Sequence, residues 1–192
     1  MPARRNTACV PPSVAEEARL AEAGDASSIL ARMPQKLDVT VAAVTEDDGR
    51  FLVVEERINH QLVLNQPAGH VEHGETLLEA VIREAREETA WCFEPRALVG
   101  AYLWRNPLSG LTTLRFAFTG TVSDHKPEQP LDTGIVTTHW LTRAELLERE
   151  KRLRSPLVLR CVDDYLGGSR QPLEGFAQLD IKTAVSVAAI AV

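Results

Sequence analysis

The chain has 192 residues, 44% of them hydrophobic and 25% charged, which suits one globular domain of ordinary size with extra sequence at the ends. A net charge of −6 speaks against a nucleic-acid polymer as partner, because that partner needs a basic face. Cys9, Cys92 and Cys161 are an odd number without CxxC spacing, so neither a disulfide framework nor a zinc knuckle is indicated, and a reducing cytoplasm is expected.

Residues 1–34 read as an N-terminal extension. Arg4 and Arg5 are followed by no continuous apolar run, and Glu16 and Glu17 argue against a transit peptide. Ser13 and Glu16 could cap a short helix through about Ala23, but its apolar stripe is thin. Met33 is the only methionine besides Met1, and strand-like sequence begins directly after it. The extension is therefore expected to be either disordered or the product of a start codon placed too early. The longest apolar stretch, Thr183–Val192, is about half the roughly 20 residues of a membrane span, so no membrane association is expected.

From Leu37 the pattern changes. Leu37–Val44 and Phe51–Glu55 are apolar or β-branched runs around a Glu46-Asp47-Asp48-Gly49 turn and predict a hairpin. Gln61–Asn65 is a further short strand, ended by Pro67 and Gly69. Thr76–Thr89 is helical, with Thr76 and Glu79 forming a capping box. Leu98–Trp104 and Leu111–Val122 are strands around an Asn106-Pro107…Gly110 turn, and Ile135–Leu141 is another. Thr142 caps a helix through about Glu150, and Ser155 caps a last one ending at Gly167-Gly168. This order predicts an α+β domain over residues 35–168, with helices on a mixed sheet, followed by a C-terminal tail at 169–192.

The chemistry lies in residues 69–91, GHVEHGETLLEAVIREAREETAW. At about 100° per residue, Leu77, Leu78, Val81, Ile82 and Ala85 share an arc of about 140°, the expected core face. Glu84, Glu87 and Glu88 share a neighbouring arc of about 100° at its rim, and their spacing lets all three carboxylates converge. Like charges at these spacings cost roughly 0.2–0.5 kcal/mol per pair, and the helix dipole adds roughly 0.3–1 kcal/mol for each acid near the C-terminal end. A bound divalent cation reverses both signs. Glu-rich helices are often plain solvated faces. Here the fixed spacing of Gly69, Glu75, Arg83-Glu84 and Glu87-Glu88 weighs against that, since six set positions match by chance on the order of 1 time in 100,000.

These six residues match the Nudix box, G-x5-E-x7-R-E-U-x-E-E-x-G-U, and the chain thereby resembles the Nudix hydrolase family. Ala85 stands where a larger aliphatic is usual, Ala90 where glycine is usual, and Trp91 fills the last apolar position. Glycine at the Ala90 position serves a left-handed helix end, so alanine there leaves open how the helix terminates. The resemblance implies an α/β/α sandwich with a mixed β-sheet flanked by helices. It implies that Glu84, Glu87 and Glu88 ligate Mg²⁺, for which Mn²⁺ can substitute, and that Gly69 presents its carbonyl to the metal. It gives Arg83 the role of orienting the glutamates, Glu75 that of a structural partner, and Glu87 with Arg83 the catalytic place. Which acid is the general base stays open.

Beyond the box, Phe51–Glu56, Asn65–His70, Leu114–Phe116 and Leu153–Val158 are similar to the phosphatase NudJ group of bacterial Nudix enzymes. That likeness implies a phosphatase acting on nucleoside di- and triphosphates and on thiamine-pathway diphosphates. Arg115, Asn65 and Trp104 are candidate substrate contacts, and Asp132, ahead of the strand carrying Trp140, is a candidate acid. One of Glu55 and Glu56 could face the cleft. His70-x-x-His73 is too short for a zinc site, and Cys92 has no histidine to make it a nucleophile. The expected partners are small phosphorylated metabolites or nucleotides, with the chain a monomer or homodimer. Two alternatives stay open: a ligand-sensing module on the same fold without catalysis, and an isomerase, for which no extra nucleophile or acid is identified.

Overall fold

The structure, a computed structural model, describes residues 37–175. The expected extension at 1–34 and the Thr183–Val192 stretch lie outside the described residues. No described helix is long and apolar enough to cross a membrane.

Among the described residues, eight strands form two four-stranded sheets. In the first, the order is β5 (Ala68–His70), β1 (Leu37–Val44), β7 (Thr112–Ser123) and β6 (Cys92–Arg105). Here β1 runs parallel to β7, while the other pairings are antiparallel, which makes this sheet mixed. In the second, β2 (Glu46–Asp47), β3 (Arg50–Ile58) and β4 (Gln61–Asn65) follow one another, and β8 (Ile135–Thr142) pairs with β3. Among the described residues, three α-helices cover the sheets: α1 (Leu77–Thr89), α2 (Arg143–Glu148) and α3 (Leu157–Leu166). The fold is thus the α+β sandwich with a mixed sheet and flanking helices.

Strand β1 reads as a nearly unbroken apolar run because both of its faces are covered. Val41 and Ala43 pack with Ala80, Val81 and Ala85 of α1 and with Phe93, Leu98 and Phe118. Ala42 and Val44 pack the other way, with Phe51, Val53, Leu64, Leu146, Cys161 and Val162. The first sheet is therefore sandwiched between α1 and a layer made of the second sheet with α2 and α3.

The expected hairpin of Leu37–Val44 with Phe51–Glu55 does not form. Both edges of β1 are taken, by β5 on one side and β7 on the other, so none remains for β3. The turn itself is real: Asp48 and Gly49 have φ of 47° and 75°, and Glu46 and Asp47 pair with Phe51 and Arg50. The chain simply changes sheet at Thr45. Strand β6 begins at Cys92 rather than Leu98, because Pro95 sits on an edge strand next to a bulge, where its missing N–H removes no ladder bond. Past Gly168 the chain still pairs with the sheet, through reciprocal backbone bonds between Leu98 and Gln171.

The expected capping box of Thr76 with Glu79 forms, and the expected Thr142 cap proves to be a capping box with Glu145, each stabilising its helix by about 1 kcal/mol. The Ser155 cap does not. Pro156 occupies the N-cap of α3, which places Ser155 one residue too early, and its Oγ is buried without a hydrogen-bond partner.

Candidate active site

Helix α1 corrects the expected face assignment. Ile82 is 40% exposed, whereas Ala80, Val81, Ala85, Glu84 and Glu88 are buried. On a wheel of about 100° per residue the buried arc is centred near Glu88, so Glu84 and Glu88 lie within the buried face rather than at its rim. Glu87 faces outward, with its side chain 47% exposed. The helix stops where Ala90 adopts φ 60°, a left-handed end that its N–H supports by donating to the Arg86 carbonyl. Alanine therefore takes the geometry that glycine favours, at roughly 1–2 kcal/mol.

Arg83 organises the acids. Its Nε and Nη2 donate to both oxygens of Glu75 at 3.0 and 2.7 Å, and Nη1 donates to Glu84 at 2.8 Å and Glu87 at 3.1 Å. Nη2 also donates to the His70 carbonyl at 3.0 Å, tying α1 to the end of β5. The Arg83 bond holds the Glu75 carboxyl below its usual range. A Cβ at position 69 would overlap the carboxylate of Glu84, so glycine there is what lets the β5 backbone and this side chain meet.

Glu88 is 8% exposed and accepts a hydrogen bond from the Ala68 N–H at 2.8 Å. Burial pushes its pKa up to about 8 against the pull of that N–H, with Glu84, Glu56 and Asp132 adding to the rise. Burial likewise raises Glu84, opposed by Arg83. Glu56 is raised by burial too, against Arg154 and Arg115, and its Oε1 is buried without a hydrogen-bond partner. All of these acids, together with Glu87, Glu72 and Asp132, line one cleft of about 540 Å³ that also contains Gly69, His70 and Arg83.

Among the described residues, no three acid, histidine or cysteine side chains already stand as a closed ligand set. That does not exclude magnesium, which keeps several waters and uses one or two carboxylates with substrate oxygens. The residues fit a divalent cation: they are hard oxygen donors gathered in one cleft, and burial raises the pKa of three of them, Glu84, Glu88 and Glu56.

A second cavity of about 420 Å³ adjoins the cleft and shares Glu56, Ala68, Gly69 and His70 with it. The three expected substrate contacts, Asn65, Arg115 and Trp104, all line it. Arg115 is 7% exposed, reaches Asn65 Oδ1 at 3.4 Å, and has its pKa lowered by burial.

Of the adjacent acids Glu55 and Glu56, only Glu56 lines the cleft, whereas Glu55 is held by Arg152 and His139. Strand alternation points the two side chains to opposite faces, and the pairing with β8 shifts register between them. Sequence reasoning missed the Ala68 N–H, Arg154, Thr40 and the inward Ser155. His73 lines neither cavity, and Trp140 packs edge-on against Trp91 at 6.5 Å.

Comparison with known proteins agrees with this geometry. A model of the NUDIX domain matches residues 34–161. The chain is 42% identical to phosphatase NudJ of Escherichia coli strain K12 over 139 residues, covering 72% of this chain and 90% of the relative. A solved NUDIX hydrolase from Nitrosomonas europaea is 44% identical with a TM-score of 0.74, covering 76% of this chain and 99% of that one. A bifunctional NMN adenylyltransferase/ADP ribose pyrophosphatase from Francisella tularensis, solved with AMP and a Mn ion, shares the fold. It is 18% identical with a TM-score of 0.57, over 81% of this chain and 48% of its own.

Proposed function

The chain belongs to the Nudix family, and on that premise we propose that it is a Mg²⁺-dependent hydrolase of phosphoanhydride bonds, with Mn²⁺ an acceptable substitute. Its substrates on this reading are nucleoside di- and triphosphates and thiamine-pathway diphosphates, small metabolites of the cytoplasm. The supporting observation is the cleft that gathers Glu56, Glu84, Glu87, Glu88 and Asp132, with Arg83 bonded to Glu84 and Glu87. Repelling acids at this density destabilise a fold and make sense only where a cation joins them.

Glu84, Glu87 and Glu88, with the Gly69 carbonyl, would hold the metal. When bound, a divalent cation polarises phosphoryl oxygens, acidifies a water and neutralises the leaving phosphate. Arg83 sets the positions of Glu84 and Glu87 through its hydrogen bonds. Glu87, the most exposed of the three, would on this reading accept the proton of an attacking water. Ala68 N–H fixes the Glu88 carboxylate, and Glu75 fixes Arg83. Asn65, Arg115 and Trp104 contact the substrate from the second cavity.

The test is phosphate release from a panel of nucleotides and thiamine-type diphosphates, with and without Mg²⁺, for wild type and Glu88→Gln. Release that requires both the metal and Glu88 supports the reading. No release by wild type from any member would hand the lead to a ligand-sensing module.

A further inference from the structure

Three residues that line the second cavity each carry a buried donor atom without a hydrogen-bond partner among the described residues: Arg115 Nε, Thr40 Oγ1 and Ser155 Oγ. Their residues are 7%, 8% and 8% exposed, so bulk water does not satisfy them. Arg115 Nη1 reaches only an amide oxygen, that of Asn65, and among the described residues no carboxylate lies in ion-pair reach of this guanidinium. The nearby acid Glu56 pairs directly with Arg154, at 3.6 Å, and acts on Arg115 only from beyond ion-pair distance. A buried cation with no carboxylate in direct contact is costly in a fold, and orphaned hydroxyls add to it. The ten-residue helix α3 begins directly after Ser155 and Pro156, bringing its positive end to the same wall through Leu157.

We propose that this cavity is a phosphoryl subsite, in which Arg115 Nε and the hydroxyls of Thr40 and Ser155 donate to the oxygens of one phosphoryl group. An uncharged ring would satisfy some of these donors but leave the guanidinium without an anion in direct contact. A phosphoryl group supplies both the charge and enough acceptor oxygens for all three donors. Because the two cavities share Glu56, Ala68, Gly69 and His70, consecutive phosphoryl groups of one substrate can occupy them together. The proposal rests on the hydrolase reading of the neighbouring cleft. Two sources offer the same oxyanion, a phosphoryl group of the substrate and free inorganic phosphate.

The experiment is calorimetric binding of inorganic phosphate, and separately of a methylene-bridged nucleoside diphosphate, in saturating Mg²⁺ and again in EDTA. Wild type is compared with Arg115→Met, Thr40→Val and Ser155→Ala, each checked for a cooperative melting transition. The subsite predicts that Arg115→Met weakens binding by roughly tenfold or more, and each hydroxyl variant by roughly threefold to tenfold. The hydroxyl variants carry the test should Arg115→Met fail to fold. Weakening with both probes places the substrate's phosphoryl group there, whereas weakening with inorganic phosphate alone places the free anion there, and either result supports the subsite. Unchanged affinity in the folded variants, or no binding of either probe by wild type in either condition, overturns it. These readouts are independent of turnover. Hydrolysis without Arg115-dependent binding removes the subsite alone, and Arg115-dependent binding without hydrolysis removes the hydrolase reading alone.

Discussion

Gly69 on β5 and Glu84 on α1 are in contact only because position 69 has no side chain: a Cβ there would overlap the whole Glu84 carboxylate. Arg83 pins that carboxylate from the other side at 2.8 Å, so it has little room to retreat. Gly69→Ala is therefore expected to displace Glu84 while leaving the hydrophobic core intact. Divalent-cation affinity should fall by roughly 10–100-fold, with little change in melting temperature. Calorimetric titration of Mg²⁺ or Mn²⁺ onto the variant reads this directly.

Arg83→Lys keeps the charge but loses the fork. One ammonium cannot reach both oxygens of Glu75 together with Glu84, Glu87 and the His70 carbonyl. A stability loss of roughly 1–3 kcal/mol is expected, read by urea unfolding. Because Arg83 acts through the glutamates, kcat should fall far more than KM rises, and the Mg²⁺ concentration for half-maximal rate should increase.

Glu88 gives the metal-free protein a pH dependence of known sign. Its ordinary pKa is 4.5 and its folded pKa is about 8, so between those values the folded state binds more protons than the unfolded chain. Stability then falls as pH rises through this window, and Glu84 and Glu56, also raised, act in the same direction. In EDTA, Glu88→Gln should melt higher than wild type at pH 8, by roughly 2–4 kcal/mol, with the gap closing toward pH 5. Added Mg²⁺ should stabilise wild type at pH 8 and leave the variant unmoved. A wild-type melting curve that does not respond to pH across this window would contradict the assignment.

Ala90→Gly sets two effects of similar size against each other. Relief of the left-handed alanine gains roughly 1–2 kcal/mol, while a lost buried methyl and a freer unfolded chain together cost roughly 1–2 kcal/mol. The variant should lie within about 1 kcal/mol of wild type in urea unfolding, with activity unchanged. That near balance explains how α1 ends correctly without the glycine.

The local chemistry of the site was legible in the sequence, and its long-range geometry was not. The box fixed α1, its Thr76–Glu79 cap and the set of acids, because helix periodicity and capping are properties of neighbouring residues. The partners of β1 could not be read, since a run apolar on both faces says that a strand is covered but not by what. Ala68–His70 was read as the stop after a strand, yet these three residues form β5 and carry Gly69 and the Ala68 N–H, recruited by pairing with β1 about 28 residues earlier. Ser155 was read as a cap by residue type, and Pro156 displaced it into the second cavity. Ile82 was placed in the core by its arc, whereas the buried face is turned toward Glu84 and Glu88, which a hydrophobic pattern alone cannot favour.

The most direct measurement is Mn²⁺ binding, followed by the loss of the free-ion electron paramagnetic resonance signal, for wild type and Glu84→Gln/Glu88→Gln at pH 8. Wild type should bind at least one ion with Mg²⁺ competing for it, and the double variant, still folded, should bind roughly 100-fold more weakly or not at all. Equal binding by both proteins, or none by wild type, would contradict the claim that these buried carboxylates exist to hold a divalent cation.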